Sequence, residues 1–417
     1  MAFSVSLKER SRTLASTLHP LAEKNFSIFW FGAFLSSIGF WIQTVGQGWQ
    51  VLQLTHSALL LGLVTLAATL PNLVFSLFGG VLVDRWDRRH LLFYTQAIYM
   101  TTALLLGILT TLHIITVWEI LIAALVNGIV SAIGLPAWQT FVTDLVSPQE
   151  LRQGVALDFM QFNLSRAVGP ALGGILVGLV GIAGSYYLNS VSYIAVLLSL
   201  LLIHTDHTRH VAKRQSILKG LGEGLHYVRQ HPALQLALLL QFLLAFLVFP
   251  FATLLPIFAA SIFHIGAQGL GMLNAVTGIG ALSGALLFLL MSQKVQRTLR
   301  LMIFLCLIGG GACIALAFAY DIRIALPFLV ILGVCSVLPL VVTNTAIQVM
   351  TPEGMRGRIL SIRVLITFGL APFGNLLVGW VAQNIGAQIT LALSGGLCLL
   401  FTLGVAIVHI RQHIELA

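Results

Sequence analysis

The chain has 417 residues, 58% of them hydrophobic and only 8% charged, with a formal charge of +9 and a mean hydropathy of +0.98. Soluble domains carry about a quarter charged residues, and a chain of this size has too little interior to hide so much apolar surface from water. A soluble globular fold is excluded, and the basic residues, set in short clusters between apolar stretches, mark membrane topology rather than nucleic-acid binding.

Apolar segments follow one another at 27–53, 58–82, 91–113, 115–140, 154–178, 182–204, 233–259, 266–291, 300–319, 324–347, 359–383 and 387–409. Each approaches or exceeds the roughly 20 residues that cross a hydrocarbon core. None alternates with a period of two, which excludes a β-barrel. The pattern predicts an all-α polytopic membrane protein with twelve transmembrane helices in two six-helix bundles. An N-terminal segment (1–26) precedes the first bundle (27–204), a linker (205–232) leads to the second (233–409), and a tail (410–417) follows. The polar start of the chain lacks a cleavage site after a short apolar core, so no cleaved signal peptide is expected.

Of the 22 Lys and Arg residues, all but Arg166, Arg323 and Arg363 fall on the side that carries both termini. The positive-inside bias therefore predicts a cytoplasmic N-terminus and C-terminus. The linker holds Arg209, Lys213, Arg214, Lys219 and Arg229, and its LKGLGEGLHYV stretch reads as an amphipathic helix on the inner surface. Cys306, Cys313, Cys335 and Cys398 lie inside apolar stretches without metal or redox spacing and read as small buried apolar residues.

Span one carries Gln43, Gln47 and Gln50 at i, i+4 and i+7, with Trp41 and Trp49 nearby. Amides on one helix stripe need partners in a dry environment, supplied either by a water-filled path or by bridges to neighbouring helices. Asn127 is a further polar group in span four. Asp144 and Arg152 sit at the inner ends of spans four and five.

Span five is the most informative. Ionisable groups inside a membrane are costly and usually face protein or water, and this span holds two, Asp158 and Arg166. Asp158 is the only acid clearly within a span, so it is the default proton site, with a plain lining of the inner vestibule as the alternative. Arg166, near mid-depth, reads as a substrate or gating residue, or else as a donor between helices. Gly169, Gly173 and Gly174 permit close helix approach, and Pro170 frees a carbonyl and bends the helix. In the second bundle, Phe242, Phe246 and Phe249 form an aromatic stripe facing the path or lipid. Asn274, Asn344, Gln348 and Arg363 are further polar candidates. With arginines but few acids in the spans, the path suits neutral or anionic amphiphiles better than lipophilic cations.

The two halves repeat. WQTFVTDLVSPQELRQG followed by RAVGPALGGILVG matches NTAIQVMTPEGMRGRIL followed by LAPFGNLLVG, six spans later at the same topological position. Pro148, Glu150 and Arg152 find counterparts in Pro352, Glu353 and Arg356, and Pro170 in Pro372.

Between spans two and three, Gly80-Val-Leu-Val-Asp84-Arg85-Trp-Asp-Arg88-Arg89 resembles the inner-loop signature of the major facilitator superfamily, with Asp87 where glycine is common. The equivalent SQKVQRTLR of the second half lacks the Asp-Arg pair. Gly169-Pro170-Ala-Leu-Gly173-Gly174 resembles the core of the motif associated with antiporting exporters. The run from PAWQT to GPALGG looks like the branch containing the enterobactin exporter and macrolide and multidrug efflux proteins. The resemblance implies a major facilitator fold and a conformational latch built from Gly80, Asp84, Arg85, Arg88 and Arg89, with Asp144 and Arg152 near enough in topology to join it; ordinary inside-positive anchors are the alternative reading of these residues.

Nothing resembles an ATP-binding P-loop or a catalytic cluster, so no enzyme activity, metal or cofactor is expected. The expectation is an alternating-access exporter of a small amphiphilic molecule (siderophore, drug or acidic metabolite) by proton antiport. It would be monomeric, surrounded by lipid in a bacterial inner membrane, and without a nucleic-acid partner. An importer or lipid-handling carrier of the same fold, and a non-transporting scaffold or enzyme, are the alternatives.

Overall fold

The computed structural model describes residues 19–203, 217–291 and 298–412. Helices α1 (Lys24–Thr55), α2 (Ala58–Arg85), α3 (Arg88–Thr111) and α4 (Val117–Asp144) cross in turn. A continuous run, Leu151–Leu202, follows and is broken at Gly181, whose φ of 73° and ψ of 179° lie outside the helical region. That break turns the chain, giving α5 (151–180) and α6 (182–202). A side chain at Gly181 would be strained by the positive φ although the space around it is open.

The linker forms α7 (Ile217–Gln230), and α8 (Pro232–Ile262), α9 (Gly266–Met291), α10 (Thr298–Ala317) and α11 (Ile322–Met350) follow. Helix α12 runs from Glu353 to Ile385 with a π turn at Leu365–Gly369, and α13 spans Ala387–Gln412. Among the described residues eleven helical runs are long and apolar enough to cross a membrane. The break at Gly181 makes the longest of them two crossings, which matches the twelve apolar segments of the sequence.

Polar caps set the turns, because the first N–H groups of a helix lack internal partners. Ser57 accepts from Leu60 N at the start of α2. Asp87 accepts from the backbone N–H groups of Arg89 and His90 at the start of α3. Thr116 and Glu119 form a capping box on α4. His19, Gln412, α7 and the α2–α3, α4–α5 and α11–α12 turns share one end of the bundle, called here the terminal end. The α1–α2, α3–α4, α8–α9 and α12–α13 turns share the opposite end.

Each half has its own core. In the first, Phe26, Phe29, Leu92, Phe141, Leu157 and Leu200 pack near the terminal end, and Val51, Leu106, Ile120 and Tyr186 near the opposite end. The second half is held by a larger cluster that takes in Leu244, Phe258, Leu305, Leu329 and all four cysteines and reaches Val45 and Ala58 of the first half, and by a smaller one around Leu234, Ile347 and Ile359. The cysteines are free and buried, as their apolar settings predicted. Large apolar side chains also stay exposed along outward stripes. On α5, Leu164, Val168, Leu172, Ile175 and Leu179 form one such stripe, the face a lipid-solvated helix presents.

Candidate functional site

The halves meet along two helix pairs, α5 with α9 and α2 with α12. Glycine makes both crossings close. A Cβ on Gly174 would lie 2.5 Å from Gly271 Cα, and one on Gly62 would lie 2.7 Å from Asn375 O. A side chain at either position would force the backbones apart, which is the reason for small residues here. Gly169 and Gly173 serve the same purpose within the first half, against Trp41 and Ile42 of α1. Pro170 is buried beside them.

A second stripe of α5 changes from buried to exposed along its length. Residues 155, 159, 162, 166, 170, 173 and 177 recur every three or four positions and so share one face. Toward the opposite end Pro170, Gly173 and Val177 are buried. Toward the terminal end Val155, Phe159 and Phe162 are 46%, 58% and 46% exposed. The face that packs between α1 and α9 at one end is therefore exposed at the other. Arg166, half-buried, stands at the point where packing gives way to the opening.

The Arg166 guanidinium lies 5.9 Å from the centre of the Trp41 ring, and its backbone carbonyl abuts Gly278 of α9. Phe40 and Phe162 flank Trp41, with ring centres 5.4 and 6.1 Å away. Trp41 Nε1 is buried with no hydrogen-bond partner among the described residues. Arg363 of α12 likewise has a buried Nε without a partner. Sequence reading noted Trp41 only as a neighbour of the glutamines; its spacing from Arg166, across two helices, left no local signal.

Asp158 accepts a hydrogen bond from Trp138 Nε1 at 3.0 Å, and Trp138 packs on Phe29. That tryptophan partner was not foreseen. Close by, Gln161 donates to Ser37 at 2.9 Å and to Ser165 at 3.4 Å, tying α5 to α1.

The glutamine stripe divides. Gln43 Oε1 accepts from Asn189 Nδ2 of α6 at 2.6 Å. Gln50 donates to Thr110 of α3 at 3.0 Å and accepts from Tyr186 OH at 2.7 Å. Both are buried bridges inside the first half, the arrangement the sequence allowed as the alternative to a path. Gln47 is half-buried and touches Gln43 at 3.4 Å. Asn127 is a bridge too, accepting from Thr102 at 2.9 Å. Phe242 and Phe246 stack on each other at 5.2 Å, and Phe242 packs partly into the second-half core. Asn344 is half-buried on α11.

At the terminal end, Arg88 Nη1 sits 2.7 Å from both carboxylate oxygens of Asp144, joining α3 to α4. Arg89 reaches across to the carbonyls of Leu200 and Leu201, where a helix C-terminus concentrates partial negative charge. Arg85 and Arg152 are exposed. The surroundings of Gly80 and the side chain of Asp84 lie outside the described residues. On the opposite end the link between halves is direct: Ala58 N donates to Gln383 Oε1 at 2.9 Å.

Comparison with known proteins follows from this architecture. The chain is 25% identical over 372 residues to a staphyloferrin A transporter of Staphylococcus aureus, covering 88% of this chain and 92% of the relative. It is 26% identical to the multidrug efflux pump Tap of Mycolicibacterium fortuitum, over 92% and 95% of the two chains. To the enterobactin exporter EntS of Citrobacter koseri it is 25% identical over 90% and 86%. A bacterial homologue of the human lysosomal transporter Spinster shares the fold, with a TM-score of 0.74 over 94% of this chain and 97% of that one, at 14% identity. The model of the transmembrane secretion effector family matches residues 15–415. With its fold, its repeat and this match agreeing, the chain belongs to the transmembrane secretion effector family of major facilitator transporters, and is a multi-pass membrane transporter rather than an enzyme.

Proposed function

We propose that this transporter exports a small amphiphilic molecule across a bacterial inner membrane by alternating access, with both termini cytoplasmic and proton antiport as the driving force. One observation carries the reading: a single face of α5 is sealed against α1 and α9 at one end and open at the other, with Arg166 at the boundary. A site reachable from one side at a time is what alternating access requires, and in this fold it lies near the midplane between repeats. Among the described residues Arg85, Arg88, Arg89, Arg152, Arg356 and Arg358 cluster at the terminal end, which supports reading that end as the cytoplasmic one and the opening as facing the compartment from which an exporter loads. The multidrug and enterobactin relatives point to the same direction of transport.

Asp158 is the coupling group in this reading. A carboxylate held by one tryptophan N–H beside the open face is placed to exchange a proton with water. Lipid contact along the α5 stripe and a monomeric carrier complete the picture.

The test is flux from proteoliposomes under an imposed pH gradient, comparing a catecholate siderophore with a cationic dye. Gradient-driven efflux of either supports export, and Asp158→Asn is expected to uncouple it from the gradient. Movement of neither in either direction, or efflux by Asp158→Asn that still follows the gradient, would remove the corresponding part of the reading.

A further inference from the structure

The polar balance around the apex of the opening is lopsided. Arg166 is a permanent cation, since a guanidinium keeps its proton in any protein environment. Among the described residues its guanidinium meets no carboxylate and no carbonyl; what it meets is the π face of Trp41. The indole N–H of that same tryptophan, a donor only, is buried and has no acceptor.

The acceptors that could have served are engaged elsewhere. Ser37 and Ser165 take the amide of Gln161. The carboxylate of Asp158 takes the indole of Trp138 and lies eight residues, about 12 Å of helical rise, nearer the terminal end. Buried polar groups in folded proteins are otherwise nearly always paired. A buried indole N–H without a partner, and beside it a half-buried guanidinium that meets no acceptor among the described residues, ask for an acceptor that arrives from outside the chain. Beside them stand the rings of Phe40 and Phe162, 47% and 46% exposed. Charge and flat apolar surface are thus offered side by side.

We propose that Arg166 and Trp41 form the anion subsite of the transport path, and that the ligand class it takes is an aromatic carboxylate. The carboxylate oxygens accept from the guanidinium and from Trp41 Nε1. The ring of the ligand lies along Phe40 and Phe162. The proposal rests on the transport reading above and narrows it to a charge and a shape. Charge-assisted bonds to a guanidinium are the strong ones, so the subsite sorts ligands by charge before size.

The experiment uses the purified full-length chain in detergent and three probes of nearly equal size: 2-naphthoate, 2-naphthamide and 2-naphthylmethylammonium. Titration calorimetry is expected to rank them in that order, with naphthoate about tenfold tighter than the amide, as loss of a charge-assisted pair predicts. Arg166→Gln abolishes the ranking. Arg166→Lys, which keeps the charge and controls for folding, retains it at lower affinity. Trp41→Phe weakens naphthoate several-fold and the amide less, since the indole N–H makes a charge-assisted bond to a carboxylate and only a neutral one to an amide carbonyl. Equal affinity for the three probes, no binding of naphthoate to the intact chain, or a preference that survives Arg166→Gln would overturn the proposal. Flux of the same probes is read separately. Anion-selective binding without flux would remove the transport reading alone, and flux without charge preference would remove the subsite alone.

Discussion

The first turn of α2 is capped in part by the other half of the molecule: Ala58 N–H and Gln383 Oε1 are 2.9 Å apart. Ser57 satisfies Leu60 N–H from within the same helix. The start of α2 therefore has one local cap and one that exists only while the halves touch at the opposite end. Gln383→Leu leaves Ala58 N–H without an acceptor in the closed arrangement, at a cost of about 1 kcal/mol, or roughly a fivefold shift in the equilibrium. Ala382 is buried at this contact and the native cysteines are buried, so an Ala382→Cys reporter can be labelled with a membrane-impermeant maleimide. Labelling is expected to rise in the Gln383→Leu background. An unchanged rate would mean the bond adds nothing to closure.

The close crossing of α5 and α9 makes two neighbouring glycines behave differently. A Cβ at Gly174 would lie 2.5 Å from Gly271 Cα, backbone that has nowhere to go, whereas at Gly178 it meets the end of the Gln268 side chain, which can swing aside. Gly174→Ala is expected to cut flux severely and raise labelling at position 382, with Gly178→Ala close to the parent. Equal behaviour of the two variants would show that the crossing is not tight in the working protein.

Two of the three glutamines of α1 should prove structural and one functional. Gln50→Leu strips Tyr186 OH of its acceptor and Thr110 of its donor, a loss of about 1–3 kcal/mol for buried groups left unpaired. A lower Tm in detergent is the expected result. Gln47→Ala removes only the long contact to Gln43, so Tm should hold while flux falls. The opposite pattern would place Gln47 in the scaffold and free Gln50 for the path.

The Arg88–Asp144 pair gives a fourth prediction. Its side chains are 21% and 34% exposed, so water and salt screen it, and its coupling should be about 0.2–1 kcal/mol. A double-mutant cycle on Tm with Arg88→Gln and Asp144→Asn measures that term. A coupling of zero would reduce the pair to independent surface charges.

The helices were legible in the sequence because a bilayer imposes a coarse and strict rule, a length of apolar chain repeated twelve times. The turn at Gly181 was legible as a gap between segments, though not as a single residue with positive φ inside a helical run. The repeat and the inner-loop signature led to the superfamily for a different reason: they are patterns of identity at fixed topological places. Partners across helices were another matter. Gln43 and Gln47 sit one turn apart, and nothing local separates the one that bonds to Asn189 from the one that, among the described residues, hydrogen-bonds to no other helix. Trp138 reaches Asp158 over the turn between α4 and α5, and Trp41 reaches Arg166 from a helix more than a hundred residues earlier. Periodicity says which residues share a face; it does not say what stands opposite.

Among the described residues the linker helix α7 packs on the second half. Glu223 pairs with Arg358, Gly224 has Arg358 Cβ 3.2 Å from where its own Cβ would be, and Val228 is buried with Ile359 and Ile362 of α12. In the alternating-access reading proposed above, this helix moves with the second half as a collar. A chain cut between Ile203 and Ile217 would thus yield two pieces, each keeping the surfaces on which it folds, and the pair could be produced from separate messages and still find each other in the bilayer.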